Sequence, residues 1–217
     1  MHRIISYLKA VLDFVLPEKQ VLKSVRNLSL DRLGELMRPH IVERGFVALF
    51  NYRDKEIKSA IWALKYYKEY KSAELFGNIL YSYLLDELSD RAIFNNVHSP
   101  LFIPIPLSKQ KLIERGFNQS EKVVRACVAY DNEKTLELCV TAFERVRDTR
   151  AQAKMSDKLM RKANIKGAFR VTDREVVSGR DIVLFDDVIT TGATMSEAKD
   201  TLMNAGAKSV FCVAIAH

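Results

Sequence analysis

An α/β fold with a mostly parallel sheet flanked by helices is predicted by three features of this 217-residue chain. Two apolar runs, "DIVLFDD" from Asp181 and "SVFCVAIA" from Ser209, bracket a helix-like stretch from Thr194 to Asn204 that Gly206 closes. Together they make one βαβ unit. A third run, "LFIPIP" over 101–106, ends in proline and leads into a helix-period segment over 108–130 that Gly116 interrupts or delays. Repeated units of this kind imply parallel strands with ligands at their carboxyl ends.

The other elements follow from spacing. "KEIKSAIWALKY" (55–66) sets Ile57, Ile61, Trp62 and Leu64/Lys65 at helical intervals, and 72–88 continue with Leu75, Ile79, Leu80, Tyr83 and Leu84, giving a helical pair. "TLELCVTAF" (135–143) alternates enough for a strand. The polar, basic stretch after it, "ERVRDTRAQAKMSDKLMRKANIKGAF", is long for an unstructured connection, which marks a functional loop or lid. Residues 1–45 suggest one or two short helices split near Pro17 and Pro39, a small helical appendage to a domain over 46–217. There is no internal repeat and no low-complexity segment.

At 48% hydrophobic residues the chain can bury a sizeable core, which excludes disorder throughout. A net charge of +7 favours anionic partners. The excess is local: Lys109 to Arg170 holds fifteen Lys and Arg against eight Asp and Glu, and the remainder balances. Cys127, Cys139 and Cys212 are widely spaced in apolar surroundings, which suits reduced core thiols in a cytoplasmic protein. Lys9 and Asp13 interrupt the apolar positions of the amino terminus, which reads as an amphipathic helix rather than a signal, and no apolar run is long enough for membrane insertion.

Chemistry concentrates in "IVLFDDVITTGATM". Asp186 and Asp187 sit where the strand ends, and Thr190, Thr191, Gly192, Ala193 and Thr194 turn into the next helix. Amides at a helix start favour an anion, glycine permits close backbone approach, and threonines add hydroxyl donors, so this half suits a phosphate. The carboxylates need donors a few ångströms away, which the adjacent hydroxyls of a sugar provide. A ribose 5-phosphate meets both halves. The bland alternative is an acidic strand end with a Thr194/Glu197 capping box, which leaves Asp186 and the Thr-Thr-Gly run without a purpose. Neither of the common glycine-rich nucleotide motifs is present.

"VLFDDVITTGATM" resembles the phosphoribosyl pyrophosphate (PRPP) loop of type I phosphoribosyltransferases. "IPIPLSKQKLIERGFNQSEKV" and "RVRDTRAQAKMSDKLMRKANIKGAF" extend the resemblance, from about residue 47 to the end, to the competence-associated ComF branch of that fold. The resemblance implies a type I phosphoribosyltransferase fold. It implies that Asp186 and Asp187 hold the ribose hydroxyls while Val188 and Thr190 to Thr194 line and wrap the 5-phosphate site. Pro106 to Lys109, with Ser108, corresponds to the pyrophosphate loop, and Arg115 lies within reach of it. The bland alternative for Arg115 is a solvated helix arginine; Asn118 and Gln119 read as capping or packing groups. Arg145, Arg147 and Gln152 fall on the loop that closes over PRPP, while Arg161 and Asn164 fit its base. The same basic run reads as a solvated loop or a nucleic-acid patch.

The expected cofactor is Mg2+ carried by the pyrophosphate, with no metal held by side chains alone. Relatives commonly carry an N-terminal zinc ribbon, but Gln20 and Lys23 stand near the expected cysteine positions, so no structural zinc is expected. Three functions remain open: transfer of phosphoribosyl to a nitrogen nucleophile, a single-stranded DNA-binding module of the uptake machinery working with a competence helicase, and a PRPP-binding regulator without turnover. Aromatic interleaving within 109–170 is poor, because Phe117, Tyr130, Phe143 and Phe169 occupy core-like positions.

Overall fold

Side chains alternate along the two longest strands and face two different cores, which fixes a layered architecture. The computed structural model describes residues 18–95, 99–147 and 165–217. In chain order these form α1 (Glu18–Asn27), α2 (Leu30–Leu36), β1 (His40–Val42), β2 (Phe46–Phe50), α3 (Lys55–Tyr66) and α4 (Lys71–Asn95). There follow β3 (Leu101–Pro104), α5 (Lys109–Arg115), α6 (Gln119–Ala129), β4 (Glu137–Leu138) and β5 (Phe143–Arg145). The chain closes with β6 (Phe169–Val171), α7 (Arg174–Val177), β7 (Asp181–Val188), α8 (Ala193–Asn204) and β8 (Ser209–Ala216).

The main sheet runs β1-β2-β8-β7-β3-β4, and every pairing is parallel except that of β1 with β2. Val183 and Phe185 of β7 point into a core shared with α1, α3, α4 and α6, whereas Ile182 and Leu184 face Met195, Ala198 and Leu202 of α8. Period-2 alternation with both faces apolar is what a buried parallel strand requires. Residues 18–42, read as an appendage, place Val21, Val25, Leu28 and Leu33 in the first core and add β1 to the sheet edge.

Local chemistry sets the element ends. Asp54 caps α3, its Oδ1 accepting from the amides of Glu56 (2.8 Å) and Ile57 (3.1 Å). The 108–130 segment forms two helices, because Gly116 at φ 80 ends α5 in the left-handed region and Asn118 caps α6. At Gly77 a side chain would meet Cys127 N at 2.7 Å, so α4 crosses α6 with room for a hydrogen only.

One expected strand divides. Residues 135–143 contribute only β4 to the main sheet; Phe143 belongs to a separate antiparallel ribbon, where its ring stacks on Phe169 at 5.2 Å between centroids. That pairing draws Phe143 away from the sheet. The amino-terminal amphipathic helix, and the loop roles expected of Gln152, Arg161 and Asn164, lie outside the described residues. Among the described residues, no helix is long and apolar enough to cross a membrane. All three cysteines are free and buried.

Candidate functional site

Helices after neighbouring strands leave on opposite faces at one point in the sheet. α6 follows β3 into the first core, while α8 follows β7 into the second, so a crevice opens at the carboxyl ends of β3 and β7. Pro104 pairs with Phe185 there, and the Ile105 amide donates to the Phe185 carbonyl at 2.8 Å. Asp186 comes next.

On one side of the crevice lies the Thr-Thr-Gly turn. Gly192, at φ 69, is the N-cap of α8, and no side chain caps the helix. The amides of the first turn are therefore without intrahelical partners, and a small cleft lined by Asp186, Val188, Thr190, Gly192, Ala193 and Thr194 lies against them. Thr191 is half-buried beside it. The Thr194/Glu197 capping box does not form. Glu197 instead accepts from the Gly167 amide at 2.6 Å, tying α8 to the chain leading into β6.

The two acids differ in their surroundings. Asp186 lines the cleft, and its Oδ1 accepts from Ser120 Oγ (3.0 Å) and from the Asp187 amide (2.9 Å). Asp187 does not line it: the carboxylate is 5% exposed and turns inward to Lys65, whose Nζ stands 2.5 Å from Oδ2. Burial, then repulsion from Asp187, pushes Asp186 up to about 7. Burial also opposes ionisation of Asp187, but the attraction and hydrogen bond of Lys65 outweigh it and hold this carboxyl below its usual range. Burial likewise works against the Lys65 charge, and Asp187 outweighs it, raising the ammonium above its ordinary value.

The other side of the crevice is cationic. Burial, with Arg145 and Arg115 nearby, lowers Lys111 below the usual lysine range. Arg115 is held rather than freely solvated: its Nη1 donates to Gln119 Oε1 at 2.6 Å, and its guanidinium lies 5.7 Å from the Tyr66 ring centroid. Ser108 is buried as the N-cap of α5, and Lys109 is exposed. Asn118 caps α6 and donates to the Ile105 carbonyl at 3.0 Å, so it and Gln119 are the capping and packing groups their positions suggest. Arg145 donates to the Arg147 carbonyl (3.2 Å) and lies over Phe169, while Arg147 Nη1 donates to the Lys166 carbonyl at 3.4 Å. Both arginines thus stitch the open end of the ribbon. Among the described residues, no group of three His, Cys, Asp or Glu side chains forms a metal site.

Sequence reasoning singled out neither Lys65, Lys111 nor Ser120 for the site. For Lys65 a signal existed: a lysine among the apolar positions of an amphipathic helix demands a buried partner. Lys111 and Ser120 carry no comparable mark, since each is an ordinary residue of a polar helix.

Residues 128–217 match the phosphoribosyl transferase domain family. The chain is 33% identical over 150 residues to DNA utilization protein YhgH of Shigella flexneri, covering 69% of this chain and 62% of that protein. It is 31% identical to Competence protein F of Haemophilus influenzae, covering 50% and 46% respectively, and 29% identical to Competence protein ComFC of Streptococcus pneumoniae, covering 63% and 54%. The chain thus spans from under half to somewhat under two thirds of the length of these relatives. With a mostly parallel sheet, a Thr-Thr-Gly turn at the switch point and a matching phosphoribosyl transferase domain, the chain has the type I phosphoribosyltransferase fold, and its relatives are competence and DNA utilization proteins of the ComF type.

Proposed function

We propose that the crevice binds PRPP with its magnesium and that the protein transfers the phosphoribosyl group to a nitrogen nucleophile. The observation that carries this reading is the uncapped start of α8, whose amides meet a cleft bordered by Asp186 and faced by Lys111, Arg115 and Arg145. The 5-phosphate takes the amides and the hydroxyls of Thr190, Thr191 and Thr194. Asp186 accepts from the ribose diol, while Asp187, paired with Lys65, fixes the strand end that presents it. The pyrophosphate meets the cationic side, where Lys111, already disfavoured as a cation by burial and by its neighbours, gains an anion. Magnesium suits a site with few carboxylates, because it keeps waters and phosphate oxygens as ligands; when bound, it neutralises charge on the leaving group. Calorimetry with Mg-PRPP tests the reading: binding is expected in the parent chain and lost in Asp186→Ala. Unchanged affinity in that variant would remove the ribose contact. Pyrophosphate release across nucleobases and amines separates transfer from binding alone.

A second reading, a single-stranded DNA-binding module, is favoured by a different surface. Tyr66 and Tyr70, each 44% exposed, sit beside cations: Arg115 lies 5.7 Å from the first ring and Lys122 5.1 Å from the second. Trp62, with Lys58 over it at 5.7 Å, extends the strip. These aromatics come from α3 and the turn after it, outside the basic segment. Alternating rings and cations suit stacked bases and backbone phosphates. The names of the relatives, which refer to competence and DNA utilisation, accord with this. Tyr66→Ala with Tyr70→Ala is expected to weaken single-stranded DNA binding at least about tenfold, given the usual worth of a stacked base; retained affinity would sink it.

A further inference from the structure

The turn between α5 and α6 touches both the crevice and the aromatic strip. On the crevice side, Asn118 donates to the Ile105 carbonyl just past β3 (3.0 Å), and Ser120, fully buried, donates to Asp186 Oδ1 (3.0 Å). On the outer side, Tyr70 packs edge-on against Phe117 with 5.8 Å between ring centroids, and the Arg115 guanidinium lies over Tyr66 at 5.7 Å. Residues 115–120 therefore join the strip to the proposed ligand site.

Arg115 belongs to both surfaces. Its Nη1 is held at 2.6 Å by Oε1 of Gln119, a side chain only 3% exposed, and the next residue, Ser120, carries Asp186. Its charge is felt in the crevice, where it works against the ammonium groups of Lys65 and Lys111 and favours the Asp187 carboxylate. Among the described residues no carboxylate forms an ion pair with it. A half-buried guanidinium with a ring below it, a neutral amide beside it and no carboxylate is open to an anion from either side. Lys58 and Lys122, by contrast, serve Trp62 and Tyr70.

We infer that Mg-PRPP and a single strand compete for Arg115, so that filling the crevice loosens the strand and the strand weakens the hold on Mg-PRPP. The inference rests on both readings given above, of the crevice as a PRPP site and of the strip as a strand surface. Pyrophosphate draws the guanidinium toward Lys111 and off the Tyr66 ring, which removes a cation from beside the stacked base and its phosphate. It also sets negative charge one arginine side chain away from the strand's phosphates, a distance comparable with the screening length of about 8 Å at physiological salt, so repulsion is felt across it. Both effects have the same sign. Linkage makes them reciprocal.

Fluorescence anisotropy of labelled oligothymidylate titrated with the full chain, with and without saturating Mg-PRPP at matched ionic strength and magnesium, tests the coupling. Mg-PRPP is expected to raise the Kd of the strand about five- to tenfold, and calorimetry with unlabelled oligonucleotide present is expected to find the Kd of Mg-PRPP raised by the same factor. Arg115→Gln is expected to weaken both ligands and to erase the factor. Lys122→Gln is expected to weaken the strand and leave the factor intact, which separates a role for Arg115 from a general loss of positive charge. An unchanged or tighter strand Kd with Mg-PRPP bound, or a factor that survives Arg115→Gln, overturns the inference and leaves both sites standing. A chain that binds no Mg-PRPP overturns the reading of the crevice, one that binds no strand overturns the reading of the strip, and in either case the coupling falls with it.

Discussion

Lys65, one residue from the end of α3, reaches the carboxylate of Asp187 near the end of β7 at 2.5 Å, with side chains 16% and 7% exposed. A helix and the central strand are thereby fastened by one ion pair directly beneath the proposed ligand. Such a pair costs desolvation when formed and is strongly missed when halved.

Lys65→Met is therefore expected to lower stability by about 3 kcal/mol, the usual cost of stranding one buried charge. Adding Asp187→Leu is expected to recover most of that loss. Urea denaturation of both singles and the double, analysed as a cycle, measures the coupling; additive losses would show that the pair is not a unit.

Asp186 gives a pH signature whose sign is opposite to that of an ordinary paired carboxylate. Its native value of about 7 lies above the unfolded value of 3.8, so between these limits the folded chain holds a proton that the unfolded chain has lost. Stability then falls as pH rises through this window, by up to about 1.4 kcal/mol per unit. Denaturant midpoints from pH 5 to 8 are expected to decline in the parent and to flatten in Asp186→Asn.

At Gly77 the α4–α6 crossing leaves no space for a methyl group, since the obstruction at 2.7 Å is backbone as well as side chain. Gly77→Ala is expected to destabilise by about 1–3 kcal/mol, despite the better helix propensity of alanine. Gly34, with nothing near its missing side chain, is the control: Gly34→Ala within α2 is expected to be neutral or stabilising in the same thermal melts.

Gly192 combines a left-handed backbone with the edge of the Phe46 ring, 3.5 Å from where a side chain would begin. Gly192→Val is expected to cost about 1–2 kcal/mol of stability and to abolish Mg-PRPP binding by displacing the turn. Calorimetry beside a melt separates the two effects.

The central strands, the PRPP-like turn and the cap of α6 were legible because local chemistry dictates them: alternation, a positive-φ glycine, an Asn before a helix. Phe143 was harder. Its alternating segment looks like a strand in any local view, and only a partner 26 residues later, Phe169, assigns it to the ribbon. The partnership of Lys65 with Asp187 is more distant still, 122 positions along the chain. Nor does residue type announce that Glu197 would serve Gly167 rather than its own helix, because both uses satisfy an orphan amide equally well.

The cysteines supply a practical lever. All three thiols are buried, which keeps a maleimide from reaching them, and burial also pushes Cys212 up to about 12 and Cys127 higher still. A cysteine introduced at exposed Tyr70 would be the one fast-reacting position, and a fluorophore there could report strand docking without any native thiol having to be removed.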